Sequence, residues 1–433
     1  MNRIYLYAVA LIVCLNNAAL ASDDQRLTLA QAQQMALRNH PQIQSEDFRL
    51  RAAEQDVDLA RSRYMPQVSG NIVRTFASEG TRIAATDAIT NPTIIDRGAY
   101  GITVNQMITD FGRTEKRIEA IKANVDAYSA LGTDTRQKIL FNVTRAYYNT
   151  FRAQALEKVA DDTLKARSDF LEQVSALRQA GRRSDLDVSI ARQDIGNAQL
   201  LKLQARNEVD NAAAAFSQAL GLKEEQNFVL SAPEAIPPPP EAVDKIIARA
   251  LDLNPLLQSL KARALAARKT ADASASAYYP TLSAIGYAGE APIDPGGLIK
   301  PRYAAAGINL SIPIFDGGAI VANSKSTGYL AESAAQDVID KQNMLSRDIR
   351  RAWNNVQVLY SNIDVLKQLL ENANNAFELT STRYELGKST IVDLARAQLE
   401  KTNAEISNTN IVYEYLIQRE FLNYAAGYAV PEH

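Results

Sequence analysis

The chain has 433 residues, with 47 Lys and Arg against 49 Asp and Glu, a formal charge of −2, one cysteine and two histidines. Near-balanced charge excludes the strongly basic chain that a nucleic-acid partner favours. His40 and His433 are too few for a His-centred metal site or a catalytic triad, so no cofactor, metal ligand or enzymatic activity is expected.

The first residues are Met1-Asn2-Arg3, then an apolar stretch from Ile4 to Leu15, then Ala19-Leu20-Ala21 ahead of the polar Ser22-Asp23-Asp24. One early charge, an apolar stretch too short to span a bilayer and a small-x-small site describe a secretory signal over 1–21, cleaved before Ser22. The alternative makes Cys14 a lipidated residue, but Val13 stands where such a box wants a small side chain. With the signal removed no cysteine is left for disulfides, thiolate metal sites or thiol catalysis. Beyond it no apolar run reaches the roughly 18 to 20 residues of a membrane helix, so the protein is expected to be exported and either soluble or membrane-spanning by β-strands.

The remaining chain repeats itself. Asn39-His40-Pro41 recurs as Leu253-Asn254-Pro255 and Tyr64-Met65-Pro66 as Tyr278-Tyr279-Pro280, a displacement of 214 (255 − 41). From Ile102/Ile308 onwards the displacement is 206 (308 − 102), through Asp110/Asp316, Ala146/Ala352, Gly181/Gly387, Asp187/Asp393 and Gly221/Gly427. One internal loop is therefore shorter in the second copy, and the chain is one unit duplicated. The first copy covers 22–230 and the second 241–433. Residues 231–240, ending in Pro237-Pro238-Pro239-Pro240, form a stiff extended connector.

Within copy one, Val68, Gly70, Ile72 and Phe76 alternate with Ser69, Asn71 and Thr75, and Ile102, Val104 and Ile108 alternate with Thr103 and Asn105. This period of two predicts strands at about 67–76 and 100–108, and in copy two at about 281–288 and 303–314. Such strands suit a transmembrane sheet with lipid on one face and water on the other. The third is poorer, since Ile285 and Tyr287 fall on the polar face. Four strands cannot close a barrel, because small closed barrels need about eight. Two copies of the chain would supply eight and three would supply twelve; periodicity does not choose.

No proline falls between Asp110 and Pro233 or between Pro313 and Pro431. Proline costs about 3 kcal/mol inside a helix, so these Ala-, Gln- and Leu-rich stretches read as helical. Ile118, Ile121, Val125 and Tyr128, then Ile139, Val143 and Ala146, step by threes and fours in a narrow coiled-coil stripe. Gly181 and Gly387 mark the turns. The expected helices are 112–180 and 184–220, then 318–386 and 390–426, the long ones about 100 Å each at 1.5 Å per residue. Rods of that length must lie beside other rods.

Leu29-x-x-Ala32-x-x-x-Ala36 with Asn39-His40-Pro41, Tyr64-Met65-Pro66, Ser311-Ile312-Pro313-Ile314-Phe315-Asp316-Gly317-Gly318, Arg383-Tyr384-Glu385-Leu386-Gly387 and Thr390-Ile391-Val392-Asp393-Leu394 are each weak alone. In this order, duplicated and at this spacing, they resemble the TolC-type outer-membrane factor family, the exit ducts of Gram-negative export machines. The resemblance implies a mixed, mainly α fold with a transmembrane β-barrel portion. It implies a homotrimer whose four strands per chain make a twelve-strand barrel in outer-membrane lipid, and whose long coiled-coil helices make a periplasmic α-barrel. It also implies a passive duct for small molecules, working with a periplasmic adaptor (membrane fusion) protein and an inner-membrane transporter of RND or ABC type. The outer-membrane channel of type I protein secretion is the alternative within that class. A non-pore periplasmic coiled-coil protein is the alternative outside it, and the strand pairs at matching places in both copies argue against it.

The same resemblance places a gate at the periplasmic end. Asp393 matches the acidic ring and Tyr384 the linking tyrosine, with Asp187 at the duplicate position in copy one. Arg396 stands where a second acid is expected, and Ser389 where a linking arginine is expected. Residues three apart share a helix face, so Asp393 and Arg396 are expected to pair, either as an ordinary surface ion pair or as part of a pore ring. Around the turns, Gly181, Arg182, Arg183, Gly387 and Lys388 read either as adaptor-docking tips with a basic rim or as solvated turn residues. Asp110 and Asp316, before glycines at the strand-to-helix junctions, read as helix caps, and Trp353, in the slot of Tyr147, as duplicated packing.

Overall fold

The computed structural model describes residues 26–75, 97–226, 228–231, 235–240, 242–290 and 302–427. The expected signal over 1–21, with Cys14 and Ser22, as well as Phe76, His433 and part of the connector, lie outside them. In chain order the elements are α1 (Leu29–Asn39), α2 (Pro41–Arg61), β1 (Gln67–Thr75), β2 (Arg97–Thr109), α3 (Arg113–Gln179), α4 (Asp185–Ala219), α5 (Val243–Leu253), α6 (Pro255–Ala275), β3 (Thr281–Glu290), β4 (Arg302–Ser311), α7 (Ala319–Glu385) and α8 (Ile391–Ala425). The chain forms two compact units that cut across the repeat. One contains Glu46–Gly132 and Pro255–Asn343, the other the remaining residues, so each draws on both copies.

The first unit holds the sheet. Its strands run antiparallel in the order β1-β2-β3-β4, and the β2–β3 pairing joins copy one to copy two. Cross-strand partners share a face, so the register sorts the side chains into rows. Val68, Val104, Gly286 and Ala306 form one row; Gly70, Ile102, Ala288 and Ala304 form the next on the same face. Between them, on the opposite face, lie Ser69, Thr103, Tyr287 and Ala305, with Gln67, Asn105, Ile285 and Gly307 beyond. One face is mainly apolar, although Gln106 and the Glu290–Arg302 pair also lie on it; the other is mainly polar, with Ile285, Tyr287, Val73, Met107 and Tyr303 as its large apolar members. Among the described residues β1 pairs only with β2 and β4 only with β3, which leaves two open edges; all ten residues of β4 are exposed.

Each second strand hands over to its long helix through two consecutive left-handed residues, Phe111 (φ 54°) and Gly112 (φ 91°) in copy one, Gly317 (φ 71°) and Gly318 (φ 88°) in copy two. An aspartate stabilises the start of the helix in both. The Asp110 carboxylate accepts from Thr114 N at 2.9 Å and Thr114 Oγ1 at 2.6 Å; that of Asp316 accepts from Gly318 N at 3.0 Å and Ile320 N at 2.7 Å. These bonds satisfy donors that the first helical turn leaves without partners.

In the second unit the copy-one core gathers Ala32, Ala36, Ile43, Ile139, Val143, Tyr147, Phe216 and Leu220. The Tyr147 hydroxyl donates to Leu27 O at 3.0 Å and Ser231 O at 2.7 Å, fastening the chain on both sides of the helices. In copy two Tyr415 donates to Pro237 O at 2.6 Å and so holds the proline-rich connector. The helix ends α4 and α8 are followed by Gly221 and Gly427, both at φ 74°. A Cβ at Gly221 would meet His40 Cα at 2.8 Å, and one at Gly427 would meet Asn254 Cα at 3.0 Å. Conformation and space both demand glycine there.

Although α3 and α7 each have 67 residues, α7 buries only Leu345, Ile349, Ala352, Val356 and Tyr384. Tyr329, Leu330, Val358, Val365, Leu369 and Leu379 are exposed along it.

Gly221→Ala and Gly427→Ala combine a left-handed backbone with a clash and should each cost about 1–3 kcal/mol. Gly196→Ala, in a helix with nothing within 4 Å of the added Cβ, should instead stabilise by up to about 1 kcal/mol. Denaturant melts followed by helical circular dichroism distinguish the two signs.

Candidate functional site

The residues singled out for the gate and the docking tips lie at two turns built on one plan. At the end of α3, Gly181 (φ 71°) turns the chain, with Gly181 N bonded to Arg178 O at 2.9 Å and Arg182 N to Leu177 O at 2.8 Å. At the end of α7, Gly387 (φ 71°) does the same, with Gly387 N to Tyr384 O at 3.0 Å and Lys388 N to Arg383 O at 2.7 Å. This six-to-one bond pattern closes a helix with a left-handed glycine and satisfies its last carbonyls.

The return helices then begin with matched capping boxes. Ser184 Oγ accepts from Asp187 N at 3.2 Å while the Asp187 carboxylate accepts from Ser184 N at 2.8 Å and Ser184 Oγ at 2.7 Å. Thr390 Oγ1 accepts from Asp393 N at 3.1 Å, and the Asp393 carboxylate accepts from Thr390 N at 3.0 Å, Thr390 Oγ1 at 2.7 Å and Ser389 Oγ at 3.2 Å. The Thr390 hydroxyl and amide, then Ser389, hold the Asp393 carboxyl below the usual aspartate range.

These bonds correct the expected pairing of Asp393 with Arg396. The carboxylate is taken up by its own cap, and among the described residues it makes no ion pair with Arg396. Arg396 is exposed and lines a groove of about 550 Å³ with Val392, Leu399, Leu200, Asp194 and Arg167. Ser389, expected only as a missing arginine, supports the cap.

Gly181, Arg182, Gly387 and Lys388 are exposed at the turns. Arg178 pairs with Asp185 at 2.7 Å. Arg183 departs from the basic rim expected of it: half-buried, it donates from Nη2 to Tyr384 O and lays its guanidinium over the Tyr384 ring, Cζ to centroid 4.0 Å. Tyr384 is 3% exposed, packed with Val174, Val188, Ile391 and Leu394, with the Phe170 ring 5.8 Å away. Burial, opposed by Arg183 and reinforced by Asp187, raises its phenol above the ordinary value. The two turns of the duplication are thus fastened to each other within one chain.

One charged cluster escaped the sequence reading. Arg167 lies on the stripe that continues through Leu171 and Val174 towards the turn; burial lowers its pKa, and burial raises those of Asp194 and Glu405 beside it. The available signal was a charge at helical spacing on an apolar stripe.

The sequence profile of the family described as "Outer membrane efflux protein" matches residues 17–222 and 246–428, so the chain belongs to that family. Outer membrane efflux protein BepC of Brucella suis biovar 1 is 24% identical over 401 residues, covering 92% of this chain and 85% of the relative. Outer membrane protein TolC of Escherichia coli K12 is 24% identical over 431 residues, covering 96% and 85%. Among solved structures the outer-membrane channel OprN superposes with a TM-score of 0.81 at 20% identity, covering 93% of this chain and 90% of that one. The mainly helical fold with its few strands is the fold of these channels.

The depressed Asp393 carboxyl stabilises the cap above the ordinary aspartate pKa, and that stability is lost as pH falls through the lower folded value. A spin label at Lys388 should therefore gain mobility only below the usual carboxylate range. In Asp393→Asn it should be mobile at every pH. Equal mobility and equal pH response in the two proteins would refute the cap's role.

Proposed function

We propose that the protein is the outer-membrane exit duct of a tripartite export system, a passive channel for small molecules. It works with a periplasmic adaptor and an inner-membrane transporter. The observation that carries this reading is the sheet: four described strands, one mainly apolar face, one mainly polar face and two open edges, in a chain of the outer membrane efflux family. Open strand edges cannot face lipid. Three copies close twelve strands into a barrel, which places Val68, Ile102, Val104 and Ile308 against lipid and Ser69, Thr103, Asn105 and Asn309 against water. The exposed apolar side chains of α7 supply the matching contact between neighbouring helices.

The two turns are the periplasmic end of this duct in our reading. Gly181, Arg182, Gly387 and Lys388 present the surface an adaptor meets. Asp187, Asp393 and Arg396 carry the charges at the constriction, with Asp187 and Asp393 also capping the helices that line it. Because Arg396 is not neutralised by Asp393, three arginines weaken the cation preference of the acidic ring.

Planar-bilayer recording in a salt gradient tests this. The reconstituted protein should form discrete conducting channels with weak cation selectivity. Arg396→Asp should shift the reversal potential towards cations, and Asp393→Asn towards anions. Absence of channels would remove the duct, whereas channels whose selectivity ignores both substitutions would move the constriction elsewhere.

A further inference from the structure

The displacement of 206 relates the two turns residue by residue, and it reveals an exchange of chemistry. Arg183 corresponds to Ser389 and Tyr384 to Arg178, whereas Gly181/Gly387, Ser184/Thr390 and Asp187/Asp393 keep their types. Copy one has therefore provided the cation and copy two the aromatic. The reciprocal site, Ser389 with Arg178, has neither an aromatic ring nor a guanidinium at the position that would grip it. Each chain can build this contact once and in one direction only.

The contact uses what arginine alone offers. Its Cζ lies over the ring, 4.0 Å from the centroid, while Nη2 donates to the Tyr384 carbonyl, which also accepts from Gly387 N at 3.0 Å. Lysine has no plane to stack and no fork to share between ring and carbonyl. The Tyr384 hydroxyl takes no part: it is buried and has no hydrogen-bond partner, as is Arg183 Nε. Asp187, the carboxylate of that turn whose charge acts on the Tyr384 phenol, is committed to the Ser184 cap.

We propose that Arg183 is a positioning residue, a clasp by which the first turn of each chain holds the end of α7 and keeps the duct's periplasmic end closed from within that chain. The grip is on the ring face and main-chain carbonyl of Tyr384 and not on its hydroxyl. The closing role rests on the duct reading above; the clasp itself does not.

Two measurements on the full-length, detergent-extracted protein separate these. Hydrogen exchange reads the clasp, and single-channel conductance reads the closure. Arg183→Gln should speed exchange at both turns, around residues 181–184 and 384–390, by about tenfold, and raise basal conductance. Arg183→Lys should give intermediate values, and Tyr384→Leu should match Arg183→Gln. Tyr384→Phe keeps ring and carbonyl and should leave both readouts within about twofold of the parent. Gln179→Ala, exposed at the end of α3 and outside the turn surfaces named above, should change neither.

Unchanged exchange at the second turn in Arg183→Gln would overturn the clasp. Opening by Tyr384→Phe as large as by Arg183→Gln would assign the link to the hydroxyl and overturn it equally. Faster exchange with unchanged conductance would overturn the closing role. If neither the parent nor any variant conducts while Arg183→Gln still speeds exchange at both turns, the duct reading fails and the clasp stands.

Discussion

A backbone strand in lipid must hydrogen-bond to another strand on both sides, because hydrocarbon offers no donors or acceptors. The sheet here satisfies that demand only internally. β2 and β3 have two neighbours each, while β1 and β4 have one. With an apolar row such as Val68, Val104, Gly286 and Ala306 on the face proposed to meet lipid, the open edges call for further strands of the same kind, and the described residues contain no others. Assembly of several copies, as proposed above, would supply those strands. The exposed apolar positions on α7 raise a similar demand in the helical part, where Val358, Val365, Leu369 and Leu379 are left exposed among the described residues.

Duplication solves the geometry economically and then departs from itself where function asks for asymmetry. The caps at Asp110 and Asp316 share the bond from the amide four residues on, the terminal glycines 221 and 427 share their left-handed backbone, and the boxes at Ser184 and Thr390 share their reciprocal bonds, because a helix start or stop poses the same hydrogen-bonding problem twice. The turns differ at the side chains that face each other. Arg183 reaches the carbonyl of Tyr384 across 201 positions of sequence, a contact that two identical turns could not make.

Strand positions and long helices were legible because each rests on local pattern: alternation with period two, proline-free stretches, and glycine where a left-handed residue ends a helix. The polar-face position of Ile285 and Tyr287 was legible for the same reason. What escaped depended on competition or on distance. Asp393 was read as a partner for Arg396 three residues on, yet the Thr390-x-x-Asp393 spacing already signalled a capping box, and the cap captures the carboxylate with three donors. Arg183 looked like one of several exposed turn cations because nothing local ties it to Tyr384. The left-handed Phe111 was hidden too: no sequence pattern marks a bulky residue at φ 54° ahead of Gly112.

The number of chains in the native particle tests most directly whether further copies close the open edges of the sheet. Native mass spectrometry of the full-length protein, extracted from outer membranes in mild detergent, should give three chains per particle, with no monomer population at working concentration. A stable monomer or dimer would leave strand edges unpaired or close only eight strands, and would contradict the twelve-strand duct.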